Sequence, residues 1–221
     1  QKKIMKNLFL TSIFLLSTLL SVNAQTFEGE ITYKITYSDL PAEAEMYKAM
    51  LPTKSVIVMK NERTMTEQKS MGIVNIKVIS NTKTKKTVML MDMMGKKIMM
   101  EDDMDSDEIK KSVFEVVKKS ETKTIAGYKC NKAILKDKDG NEVTYWYTKS
   151  LPGYKGKSIP NVNIEGFPME FEIKQETMGM KMTVTDVNKK TISNSIFDIP
   201  SDYEIMTKEE MQKMFKGMGG M

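Results

Sequence analysis

The sequence predicts a mainly β protein built on an antiparallel meander with one or two short helices, and three observations carry that expectation. Residues Thr26 to Tyr37 alternate strictly, with Phe27, Ile31, Tyr33, Ile35 and Tyr37 on one face and Glu28, Glu30, Thr32, Lys34 and Thr36 on the other. That period of two belongs to a half-buried strand. Short segments rich in Val, Ile, Thr and Met then follow at even spacing, split by polar or glycine-containing breaks, which favours a meander over alternating strand and helix units. Two hairpins stand out, one turning at Asp139-Gly140 and one at Met178-Gly179. An α+β fold around an antiparallel sheet is the alternative.

The elements follow in order. Residues 1–24 read as a signal peptide: Lys2, Lys3 and Lys6, an apolar run from Leu8 to Leu20, and small residues before Gln25. The run is shorter than the roughly 20 residues a membrane span needs, so the mature chain is expected to be exported and periplasmic or secreted, with no transmembrane segment. After the first strand, Pro41 opens a short helical stretch that Pro52 ends. Strands are expected at Lys54 to Met59, Arg63 to Gln68, Ile73 to Ile79, Thr87 to Met93 and Lys97 to Met100. Glu101 to Glu108 is expected as a solvated loop or helix start. The Asp139-Gly140 hairpin joins Tyr128 to Lys136 with Glu142 to Lys149, and Leu151 to Val162 is a loop. Met169, Phe171 and Ile173 lead into the second hairpin. Ser195 to Ile199 and Pro200 precede a helix marked by Thr207 and Glu210 at capping-box spacing, with Met211, Met214 and Phe215 on its apolar face. Residues 25–205 thus form one β domain, and 206–221 a C-terminal helix with a loose tail from Gly217 to Met221.

Composition narrows the chemistry. The chain of 221 residues has 22 methionines and no histidine, so histidine-dependent nucleophile pairs and the usual histidine-containing zinc sites are excluded. A non-enzyme is the expectation. Removing the three lysines of residues 1–24 from the 34 basic residues leaves 31 against 29 acidic ones, a near balance that gives no argument for nucleic-acid binding. Asp103, Asp105 and Asp107 alternate like calcium-loop ligands, but Glu108 and Phe114 stand where an EF-hand needs Gly and Glu. Asp137 to Glu142 fails the same test. Cys130 is alone, so it makes no internal disulfide, and a buried thiol is the expectation.

The segment Lys123 to Cys130 with its Gly127-Tyr128-Lys129-Cys130, then Tyr145-Trp146-Tyr147-Thr148, then Gly166-Phe167-Pro168, resembles an exported bacterial family of domains of unknown function, the DUF4412 type, related to the GLPGLI family. Met169-Glu170 here replaces the Gly-Leu of the GLPGLI motif. The ending Phe197 to Tyr203 resembles the close of such domains. The resemblance implies an open antiparallel half-barrel of the kind seen in the lipoprotein carrier LolA, with a helix or two over its concave side, and it implies no activity.

Val88 to Met94 is apolar on both faces except at Asp92, so it needs cover on both sides. Three readings fit its methionine cluster: core filling, an apolar ligand groove, or a Cu(I) site built from thioethers. The leading expectation is a monomeric, non-enzymatic binding protein for a lipid, a lipoprotein acyl chain or another apolar ligand. Met89, Met91, Met93, Met100, Trp146 and Phe171 are the candidate contacts, with no catalytic or metal-binding residues and no cofactor. A Cu(I)-binding protein and an envelope interaction module are the alternatives.

Overall fold

The structure, a computed structural model, describes residues 27–40, 48–70, 74–93, 95–103, 114–137, 140–152, 164–175, 178–207, 209–211 and 213. The signal segment, most of the helical stretch after Pro41, the acidic run beyond Asp103, the loop after Pro152, Met214, Phe215 and the C-terminal tail lie outside them.

The described residues form strands β1 (Gly29–Ser38), β2 (Lys54–Lys60), β3 (Arg63–Ser70), β4 (Val74–Asn81), β5 (Lys86–Met93), β6 (Lys96–Asp103), β7 (Glu115–Ile125), β8 (Tyr128–Lys136), β9 (Glu142–Thr148), β10 (Phe167–Gln175), β11 (Met178–Lys189) and β12 (Glu204–Ile205). They make one open 12-stranded sheet in the order β12-β6-β5-β4-β3-β2-β1-β11-β10-β9-β8-β7. All pairings are antiparallel except the short β12, which runs parallel to β6. Two meanders, β1 to β6 and β7 to β11, therefore lie side by side, joined where β1 pairs with β11. Among the described residues, helical structure is confined to 3-10 turns at Lys48–Met50 and Asn194–Phe197 and to helical residues after Thr207.

Two expectations are corrected, and one strand stands where none was expected. Glu101–Asp103 is strand rather than loop, because Glu101, Asp102 and Asp103 pair with Val88, Thr87 and Lys86 while Glu101 and Asp102 leave their side chains exposed at the sheet end. The second hairpin turns one residue pair earlier, since β10 ends at Gln175 and β11 begins at Met178. β7 is a full strand whose lysines and glutamates hide its alternation. It is the sheet edge on that side, where charge discourages pairing with other chains.

Directly opposed residues of antiparallel strands share a face, so the register assigns each side chain to one of two surfaces. On the inner face of β1, β10 and β11, Tyr33, Phe167, Phe171 and Ile31 are fully buried, and Phe171 meets Tyr33 edge-on at 6.3 Å and stacks with Tyr145 at 6.3 Å. The sheet curls here enough for β7 to touch β11 across three intervening strands. Each such fully buried large side chain contributes roughly 1.5–3 kcal/mol by leaving water. Gly166 permits this packing: a Cβ on it would lie 2.5 Å from the Thr148 carbonyl oxygen, and its φ of +139° is one that side chains avoid. The glycine of the Gly166-Phe167-Pro168 element thus lets β10 approach β9.

The outer face of β2 to β6 carries a separate cluster of Val58, Met65, Ile79, Val88, Leu90 and Met99. Its cover is the segment after β11, through Ile192, Ile196, Phe197 and Tyr203. Arg63 ties that segment down twice, donating to Asn194 Oδ1 at 2.6 Å and stacking its guanidinium 4.5 Å over the Phe197 ring.

Candidate functional site

Across the inner face of β3 to β6, Thr66 opposes Val78, Val78 opposes Met89, and Met89 opposes Met100. This row of four side chains is the floor of a cavity of about 280 Å³, lined also by Gln68, Ile76, Thr87 and Asp102. Its composition follows from register. The row through Gln68 and Ile76 flanks the floor on one side, and the row through Thr87 and Asp102 on the other, so an apolar centre has polar margins.

The cavity exists here because no inner-face side chain on these strands carries a ring. No aromatic residue occurs between Tyr47 and Phe114, whereas the β8 to β11 half is filled by Tyr145, Tyr147, Phe167 and Phe171. Ring-sized volume is missing, and thioethers adapt to what remains.

Beside the cavity, Met91, Ile98 and Met211 form a small buried cluster against which Ile76, Met89, Met93, Met100 and Met206 pack. Met211 reaches it because the chain rounds the β6 edge. The outer-face segment runs into β12, Met206 N–H donates to the Met99 carbonyl at 2.9 Å, and the chain then enters the inner side. Thr207 and Glu210 form the expected capping box: Thr207 N–H donates to Glu210 Oε2 at 2.7 Å, and Glu210 N–H to Thr207 Oγ1 at 3.2 Å. The Thr207 backbone N–H first, and its side-chain hydroxyl second, hold the Glu210 carboxyl below its usual range.

Of the six candidate contacts, Met89 and Met100 line the cavity, while Met91 and Met93 belong to the adjoining cluster. Phe171 sits in the aromatic core. Trp146 lies elsewhere too, with Lys123 Nζ 4.3 Å and Lys132 Nζ 5.8 Å from its ring centroid. Next to it Glu170, almost wholly buried, accepts from Lys123 at 2.7 Å and Thr183 at 3.0 Å and pairs with Lys181 at 3.3 Å. Burial pushes the Glu170 carboxyl up, but these donors overcome it and leave it below the usual carboxylate range. The geometry is that of a satisfied ion-pair cluster.

Thr66, Gln68, Ile76, Val78, Thr87 and Asp102 line the cavity without having been singled out by sequence pattern. The aromatic-free stretch between Tyr47 and Phe114 is the sequence signal that could have found their strands. Cys130 is fully buried, its Sγ donating to the Tyr128 carbonyl at 3.2 Å, and burial pushes its thiol up. Among the described residues no group of three or more Asp, Glu or Cys side chains converges as a metal site would need. Asp137 instead organises its turn, accepting from Asn141 N–H and Nδ2, each at 2.8 Å. No described helix is long and apolar enough to cross a membrane.

Residues 156–203 match the model of a domain of unknown function, DUF4412. That match covers the β10–β11 hairpin and the outer-face segment, not the cavity strands. The chain is similar in fold to the solved structure of PNGF-II, with a TM-score of 0.51 and 16% identity over 87% of this chain. It spans only 32% of that protein's chain, so the likeness speaks for the fold alone. No curated protein matches the sequence.

Proposed function

We propose that this is a non-enzymatic binding protein, exported after loss of residues 1–24, that holds an apolar or amphipathic ligand such as a single acyl chain on the inner face of β3 to β6. The observation that carries the reading is the row Thr66, Val78, Met89 and Met100, which floors a cavity of about 280 Å³ beside a filled aromatic core. That volume is near the lower end of ligand pockets, which start at roughly 300 Å³, and suits one chain or ring system. The open curled sheet is also the arrangement expected of a LolA-type half-barrel carrier, and the Gly166-Phe167-Pro168 element resembles the motif of the GLPGLI family. The non-enzymatic part rests on the missing histidine and the inaccessible Cys130 thiol.

The test is titration with Nile red and with a medium-chain fatty acid, on the natural chain and on Val78→Trp. The tryptophan fills the cavity from its floor, so binding should fall at least roughly tenfold while the fold persists. Absence of binding to the natural chain, or undiminished binding to a folded Val78→Trp, would sink the reading.

A further inference from the structure

We infer that Met89, Met93, Met100 and Met206 form an oxidation site through which hydrogen peroxide empties the groove. The inference builds on the binding role proposed above, but its chemical half stands by itself.

These four thioethers are only partly buried and gather around Met91 and Met211 from two strands and the C-terminal crossing. Most other described sulfur of this sheet is better protected, although Met180 on β11 is likewise only partly buried and stands alone against the aromatic core. Met65 is 3% exposed, Met182 3%, Met169 0% and Cys130 0%. Because Cys130 is the only cysteine and is inaccessible, the oxidant meets thioethers first.

The chemistry balances without any further reactant. A sulfur lone pair attacks the terminal oxygen of hydrogen peroxide, the O–O bond breaks, a sulfoxide forms, and the other oxygen leaves as water after proton transfer. Sulfur is oxidised by two electrons and the peroxide is reduced by two. Reductases specific for methionine sulfoxide reverse the step.

Position gives the change its effect. Met89 and Met100 oppose each other on the cavity floor, so sulfoxides there put strong dipoles where an apolar ligand would lie. Met93 and Met206 pack on the cluster that seats Met211, so polar oxygen there also loosens the crossing over the β6 edge.

Limited peroxide treatment of the folded full chain, quenched and followed by peptide mass spectrometry, maps the sulfoxides. Met89, Met93, Met100 and Met206 should oxidise at least roughly tenfold faster than Met65, Met169 and Met182. Equal or reversed rates would overturn the site. Nile red binding should weaken about tenfold or more on oxidation, as one unpartnered buried dipole implies. It should recover after reductase treatment and should resist peroxide in a Met89→Leu, Met100→Leu variant. Unchanged binding by an oxidised natural chain would overturn the control of the groove. If the unoxidised chain bound no probe, the binding role alone would fail, and the sulfoxide map would still decide the modification.

Discussion

The Tyr33 hydroxyl on β1 donates to the Pro168 carbonyl on β10 at 2.5 Å, reaching across the intervening strand β11. The acceptor lies where the β9–β10 register slips, between Pro168 opposite Tyr147 and Glu170 opposite Trp146. A buried phenol thus secures a bulge, and both groups are out of water. Tyr33→Phe keeps the ring but leaves that carbonyl without its donor. Urea unfolding should show a loss of about 1–3 kcal/mol, and an unchanged midpoint would refute the bond's importance.

Glu28 links three parts of the outer face. Its Oε1 accepts from Ile192 N–H at 2.7 Å and pairs with Lys60 at 3.1 Å, while Lys60 Nζ donates to the Ile192 carbonyl at 2.5 Å. The Ile192 N–H first, and Lys60 second, hold the Glu28 carboxyl below 4.5. A lowered folded value stabilises above the unfolded one and loses that contribution as pH falls through it. Thermal unfolding of Glu28→Gln should therefore lie below that of the natural chain at neutral pH, and the gap should close as pH drops below 4.5. A gap independent of pH would mean that charge plays no part.

Glu170 is the most deeply placed carboxylate of the Trp146 cluster. Glu170→Ala strands Lys123 and Lys181 and should cost about 1–3 kcal/mol, discounted because Lys123 is one-third exposed. Trp146 is the sole tryptophan and Lys123 sits over its ring, so its fluorescence should shift in the same variant. Unaltered emission and stability together would contradict this account.

Phe197 closes the outer cluster from a 3-10 turn. Phe197→Ala removes the ring under Arg63 and uncovers Met65, Ile79 and Leu90, for an expected loss of about 3–5 kcal/mol in chemical unfolding. Hydrogen exchange should rise selectively in β3 to β6. Uniform exchange across both meanders would indicate that the cover is not local.

Cys130 supplies a kinetic check. A maleimide should leave the folded chain unmodified for hours and label it promptly in denaturant. Rapid labelling of the folded chain would contradict the packing of β8.

Much of this was legible in the residues, and the exceptions have physical causes. β1 and β9 alternate because one face of each is fully buried, and Val88 to Met93 showed its two-sided burial through residues apolar at every position but Asp92. β7 was obscured because an edge strand covered on one side tolerates Lys and Glu at most positions. Met89 and Met100 could be found by density of methionine, but Trp146 could not be excluded by pattern. Period-two spacing names a face without saying which face holds the void, and that is decided by the register across four strands. The polar margins from Gln68, Thr87 and Asp102 are single residues on the separate strands β3, β5 and β6, and only pairing brings them together.

The pairing of Gly29 with Lys189 and Ser38 with Gly179 has a consequence for the order of assembly. Each meander can zip up while the ribosome is still at work, since each such closure joins strands consecutive in sequence. The seam cannot. The first strand synthesised waits for the last long one, and during that interval β1 and β11 each expose an unsatisfied ladder of amides. The moment of greatest vulnerability to mispairing therefore falls late in biogenesis, when two half-sheets are formed and have not yet met.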